Sequence, residues 1–193
     1  MNCFALVTEG PCDQEVISNI LIGFNRNKNL DLNLVQPNRS LSKNESQGGW
    51  HYLVNFLQTE NFRNIYQFNK YVVIHIDTDI CEEPYFSIKK TDSEGKAKPI
   101  YQVYDGIKSS LINAIGSEFY NKVANRTIFA IPVDSIECWL LPIFYSNNQN
   151  IRNKSINCLN ALNEYLKNKT TPLKAKSQKY TMNYHQRTEK TKI

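Results

Sequence analysis

The chain is predicted to be an α/β fold: a mainly parallel four-stranded sheet with helices on both faces, followed by a C-terminal helix and a basic tail. Three observations predict it. Short apolar runs of strand length alternate with segments whose apolar residues recur at helical spacing. One run, Val72-Val73-Ile74-His75-Ile76, is almost unbroken and β-branched, as in a strand buried on both faces. Three of the runs end in acidic residues: Glu9, then Asp77 and Asp79, then Asp134 and Glu137. Alternation of this kind implies a parallel sheet with right-handed crossovers. Such sheets place ligands at the carboxyl ends of their strands.

The elements follow in order. Residues 3 to 8 read as a buried strand stopped by Glu9-Gly10-Pro11. A helix follows, with Asp13 as its cap or first-turn acid and Val16, Ile17, Ile20, Leu21 and Phe24 at helical spacing. Residues 30 to 36 alternate as a strand nearer an edge would, and Pro37 closes them. The Ser/Asn-rich stretch from Asn38 to Gly49 reads as a loop. Trp50, Leu53, Val54 and Leu57 predict a short amphipathic helix, and residues 71 to 76 the central strand. A polar loop over 80 to 98 is long enough to suggest function. Val103, Ile107, Leu111 and Ile115 mark another helix, residues 127 to 133 a strand, residues 136 to 144 a short apolar helix, and residues 151 to 166 a clearer one. Periodicity stops after Asn168.

The 193 residues fit one domain with an appendage. The expected division is a catalytic domain over 1–145, a helical extension over 146–168, and a basic tail over 169–193. A hydrophobic content of 41% supports a real core, and no apolar run reaches the roughly 20 residues of a membrane span. The N-terminus lacks the pattern of an export signal, which argues against secretion. The five cysteines are scattered and form no C-x-x-C pair. That argues against a disulfide framework and a structural zinc site, and for a reduced cytoplasm. Cys12, Cys81 and Cys138 lie near acidic residues, but small buried hydrophobes are the commoner role for such cysteines.

The net charge of +5 is unevenly spread. Residues 167 to 193 carry +7 and the rest −2. A basic tail on a nearly neutral body suits an anionic partner such as nucleic acid; a solvated tail without a partner explains it equally well.

The acidic residues carry the chemistry. Glu9 stands where a strand gives way to a helix. Asp77 and Asp79, two apart, would share one side of an extended chain, and carboxylates so placed call for a cation. Oxygen ligands suit Mg²⁺ or Mn²⁺. His75 shares their parity, but a histidine inside a β-branched strand is more often a hydrogen-bonded core residue than a ligand. Asp134 or Ser135 could cap the helix that Glu137 begins, and Glu137 is expected near the core boundary. Glu82 and Glu83 read as solvated.

These residues resemble the Toprim family, the metal-dependent domain of topoisomerases, DnaG-type primases and OLD-family nucleases. The resemblance rests on Glu9-Gly10 with Asp13, on Asp77-Thr78-Asp79, and on Val133 to Leu141 with its acidic residue before Trp139-Leu140-Leu141. It covers roughly residues 3 to 145. It departs from the family at Ile80, where many members have Gly or Asp, and in having no G-x-x-x-x-G-K-[ST] nucleotide-binding loop.

The resemblance implies a Toprim/Rossmann-like fold and a Mg²⁺- or Mn²⁺-dependent endonuclease acting on DNA or RNA. Its setting would be a bacterial anti-phage defence or toxin system. It implies metal ligation by Glu9, Asp13, Asp77 and Asp79, catalytic roles for Glu9, Asp77, Asp79 and Glu137, and a late lysine from among Lys174, Lys176 and Lys179, with Lys176 as the choice. Any ATPase or sensor would be a separate protein, self-association into a homo-oligomer is left open, and no membrane is involved. The runner-up is a catalytically silent Toprim-like binding or regulatory subunit, for which Trp50-His51-Tyr52 or residues 62 to 68 could form an interface. A dehalogenase-like or response-regulator-like phosphate enzyme would need an aspartate where Glu9 stands.

Overall fold

The structure, a computed structural model, describes residues 2–38 and 48–167. The apolar runs form β1 (Asn2–Thr8), β2 (Leu32–Gln36), β3 (Asn69–His75) and β4 (Thr127–Ala130). They make one all-parallel sheet in the order β2-β1-β3-β4. The two most apolar runs, β1 and β3, are therefore central. Their register puts Thr8 beside His75, so both strands end at the same level.

Alternation along the strands divides the core. Ala5, Val7, Val72 and Ile74 face one side, and Phe4, Leu6, Val73 and Ala130 the other. The first side is covered by α2 (Trp50–Leu57), α3 (Glu60–Phe68), α4 (Ile100–Ile115) and α5 (Ser117–Val123). The second is covered by α1 (Pro11–Asn25) through Val16, Ile17 and Leu21. The expected α/β architecture with helices on both faces is what forms.

A third cluster lies beyond the sheet. It joins α6 (Glu137–Phe144), α7 (Gln149–Arg152) and α8 (Cys158–Lys167), and Val16 of α1 packs against it. The extension therefore shares a core with α6 rather than standing apart.

Several expectations are corrected. Two helices were not anticipated, α3 and α5. Thr59 caps α3 by accepting the Phe62 N–H, which turns Phe62 and Tyr66 into the core. The single helix expected over 151 to 166 is broken. α7 stops at Arg152, residues 153 to 157 are not helical, and Asn157, with a left-handed backbone (φ 56°), immediately precedes α8, leaving Ile156 exposed. Phe24, expected on the buried stripe of α1, is 86% exposed, and Ile20 is also exposed. The long loop after β3 opens with a 3-10 turn, Thr78–Glu82.

The cysteine expectation is also overturned. Cys138 and Cys158 form a disulfide, while Cys3, Cys12 and Cys81 are free. The bond ties α6 to α8 across 20 residues of sequence. Closing a loop of that size restricts the unfolded chain by about 3 kcal/mol. Reduction, or Cys158→Ala, is expected to lower the thermal midpoint by about 6–12 °C. A midpoint that does not respond to reductant would show that apolar packing alone holds α8.

Among the described residues, no helix is long and apolar enough to cross a membrane.

Candidate functional site

The site forms where β1, β3 and β4 end. After Thr8 the chain turns sharply: the Thr8 hydroxyl donates to the Gly10 carbonyl at 2.8 Å, and Pro11 starts α1. The Glu9 carbonyl accepts the Gly49 N–H at 2.7 Å. Gly48 lies so close over this turn that a Cβ there would stand 3.0 Å from the Glu9 carbonyl oxygen. The chain entering α2 thus closes over the end of β1. Glu9 itself is buried. Gly10, not Asp13, occupies the cap position of α1, and Asp13 sits in the first turn. Its carboxylate is placed toward β3, 3.9 Å from His75 Nδ1.

The end of β3 is fastened to the β4–α6 turn by three hydrogen bonds. Asp77 Oδ1 accepts the Ile136 N–H at 3.0 Å, Thr78 Oγ1 accepts the Asp134 N–H at 2.6 Å, and the Asp79 N–H donates to the Asp134 carbonyl at 3.0 Å. Asp134 makes this possible by taking a left-handed conformation (φ 63°), which aspartate tolerates better than most residues. Its Oδ2 accepts the Asn157 N–H at 3.3 Å. Asp134 therefore shapes the turn rather than capping α6; neither it nor Ser135 provides a side-chain cap to that helix.

The expectation for Asp77 and Asp79 needs correction. The chain is not extended beyond Asp77 but winds into the 3-10 turn, so spacing by two does not place them together. Asp77 is buried against the β4–α6 turn, whereas Asp79 is exposed. Glu137 lies in the first turn of α6, half-buried at the core boundary as expected. Glu82 and Glu83 are exposed, and Glu82 Oε1 accepts the Lys90 N–H. Lys174, Lys176 and Lys179 lie outside the described residues.

His75 is the core residue the sequence suggests, but without the hydrogen bonds expected of one. It is fully buried, yet neither ring nitrogen makes a hydrogen bond. Nε2 lies 3.3 Å from Asp77 Oδ1, and Nδ1 faces Asp13. Burial pushes its pKa below the ordinary value, outweighing the opposing pull of Asp13, Glu9 and Glu137. The neutral ring is therefore favoured. Asp13 and Asp77, from two parts of the chain, are the carboxylates within 4 Å of its ring nitrogens. The only sequence signal of that proximity was its parity with Asp77 and Asp79.

A neutral imidazole offers one N–H and one lone pair. Its nearest polar neighbours, Asp13 and Asp77, are carboxylates that only accept. Among the described residues, no three His, Cys, Asp or Glu side chains stand together as a ready-made metal site. The free thiol Cys81 adds nothing to it: it lies within the 3-10 turn, buried in the core, and burial raises its pKa.

No protein-family model, no curated protein and no solved structure matches the chain.

Proposed function

We propose that the carboxylates around His75 form the divalent-cation site of a nuclease that hydrolyses phosphodiester bonds in DNA or RNA. The observation that supports it most is the buried, non-hydrogen-bonded His75 imidazole at the end of β3, with Asp77 Oδ1 3.3 Å from Nε2 and Asp13 Oδ2 3.9 Å from Nδ1. The Toprim resemblance assigns hydrolytic chemistry to these positions, but the architecture alone fits many functions.

In this reading Glu9 and Asp77 would hold the ion, with Glu137, in the first turn of α6, as a further ligand. Mg²⁺ or Mn²⁺ bound there supplies Lewis-acid polarisation of the phosphate and a water of lowered pKa. Asp77 is fixed by the Ile136 N–H, so its carboxylate needs little reorganisation. Glu9 is held by the turn that Gly10 and Pro11 define. Asp79, exposed at the start of the 3-10 turn, stands at the rim, where it would add a ligand or meet substrate. Lys176, within the basic tail, would neutralise charge on the nucleic acid.

The setting proposed is an effector of an antiviral defence or toxin system, in the cytoplasm, acting with a separate ATPase or sensor. In a reducing cytoplasm the Cys138–Cys158 bond would be kept open. The apolar packing of α8 on α6 would then have to hold the extension unaided.

A silent regulatory subunit is the competing reading. It is favoured by the lack of a ready-made three-donor site among the described residues. Incubating the full chain with plasmid, single-stranded DNA and total RNA in Mg²⁺ or Mn²⁺ separates the two. Cleavage that stops on chelation supports the nuclease. Intact substrates, both for the chain alone and with its ATPase or sensor partner present, support the silent subunit.

A further inference from the structure

We propose that the lysine-bearing hairpin over residues 89–98 is a docking surface for single-stranded nucleic acid. Its lysines hold the backbone phosphates, and Tyr85 and Tyr101 beside it stack the bases. This rests on the nuclease reading above for the identity of the polyanion, and adds the strand form and the place of binding.

The hairpin is built on a fixed base. The Ile88 N–H donates to the Cys81 carbonyl at 2.7 Å, and Phe86 is buried. Ile88 packs so closely on α4 that a Cβ at Gly106 would stand 2.8 Å from its Cδ1. Beyond that base Thr91 pairs antiparallel with Ala97. The Lys98 N–H donates to the Lys90 carbonyl and the Asp92 N–H to the Lys96 carbonyl, each at 2.9 Å. Residues 89–97 are nonetheless exposed throughout, so this ordered element adds little to the core.

Its charges call for an anion. The pairing sets Lys90 directly opposite Lys98, and Lys96, two residues from Lys98, shares their face. Like charges directly opposite each other destabilise a strand pair. Among the described residues, none of Lys89, Lys90, Lys96 and Lys98 forms an ion pair. Asp92, the acid on that face, is engaged in the turn: its Oδ1 accepts the N–H groups of Glu94 and Lys96, both at 2.9 Å. Glu82 accepts the Lys90 N–H, and Glu83 and Glu94 are the exposed acids left on the loop. A chain of phosphates laid along the lysines relieves their repulsion.

The position suits the candidate site. The hairpin joins the end of β3 to the start of α4, which places it at the carboxyl edge of the parallel sheet, where β1, β3 and β4 end. Tyr85 precedes it, 40% exposed, and Tyr101 follows it in the first turn of α4, 63% exposed. Unpaired bases stack on such rings, whereas the bases of a duplex are already stacked on one another.

The test is anisotropy of a labelled oligothymidylate, and of a duplex of equal length, titrated with the full-length chain in chelator across a range of salt. The single strand is expected to bind about tenfold tighter or more, and Tyr101→Ala to weaken it about fivefold or more without affecting the duplex. Replacing Lys89, Lys90, Lys96 and Lys98 together by alanine is expected to lower the slope of log affinity against log salt by about 2 to 3, with the basic tail intact. Lys90→Glu removes the like-charge pair, so its thermal midpoint is expected to equal or exceed the wild-type value while single-strand binding falls about tenfold. An unchanged salt slope in the fourfold variant overturns the proposal and puts binding elsewhere, as does the absence of any binding. Equal binding of duplex and single strand, with no effect of Tyr101→Ala, overturns the single-strand assignment. Binding as expected but no cleavage in Mg²⁺ or Mn²⁺ supports this surface and removes the nuclease reading.

Discussion

On the proposed nuclease reading, replacing Asp77 by asparagine is expected to abolish metal-dependent cleavage, by about a hundredfold or more, while leaving the protein folded. Asp77 serves two ends at once. Its Oδ1 accepts the buried Ile136 N–H and so fastens β3 to the β4–α6 turn. Its negative charge is what a cation would need. Asparagine keeps the acceptor and removes the charge, and its amide can donate to the lone pair of His75 Nε2. Alanine removes both functions. It strands the Ile136 N–H inside the protein, at a cost of about 1–3 kcal/mol, and loosens the turn that carries Glu137. The two variants therefore separate: asparagine inactive but near the wild-type midpoint, alanine inactive and less stable. Thermal melts and a cleavage assay read on the same preparations check this. Asparagine that cleaves like wild type would remove the metal site, and alanine that melts like wild type would remove the clamp.

The second large effect concerns the core. Phe62→Ala is expected to cost about 3–5 kcal/mol, the range for truncating a buried aromatic. Its ring is fully buried on the α2–α5 side of the sheet and packs edge-on against Phe56 and Tyr66. For a chain of this size, that lowers the midpoint by roughly 10 °C. Phe68, in the same helix, is exposed, and Phe68→Ala should change the midpoint by less than about 2 °C. Both residues fall in the stretch read from sequence as a potential interface. Denaturant unfolding of the two variants decides how much of it is core. Equal, small effects would mean that α3 does not pack as described.

The strands were legible because their signal is local. Residues 3 to 8 and 71 to 76 are apolar runs bounded by breakers, and both became central strands. Helix α3 was missed although Phe62, Ile65 and Tyr66 stand at helical spacing, because its segment Glu60–Phe68 is rich in Asn and Gln and runs into β3 with no breaker between them. Its cap, Thr59, was the readable clue. The pairing of Cys138 with Cys158 has no signature in spacing; it depends on α8 folding back onto α6. The break at Asn157 is likewise tertiary, since its N–H is taken by Asp134.

For the candidate site, residue types and strand ends were readable and local geometry was not. Glu9, Asp77 and Glu137 could be placed from the ends of apolar runs. The parity argument for Asp79 failed because the chain turns at Thr78, a change in dihedral angles that the residue pattern does not announce. His75 was set aside as a core residue on general expectation. It is indeed buried, but it lacks the hydrogen bonds that would make it ordinary.

The measurement that bears most directly on this account is a crystal structure grown with Mn²⁺, read by anomalous scattering. The account predicts an anomalous peak about 2.2 Å from a carboxylate oxygen of Asp77 and within ligating distance of Glu9. No peak at the ends of β1 and β3, with Glu9 turned outward or a basic side chain occupying the gap, would contradict it.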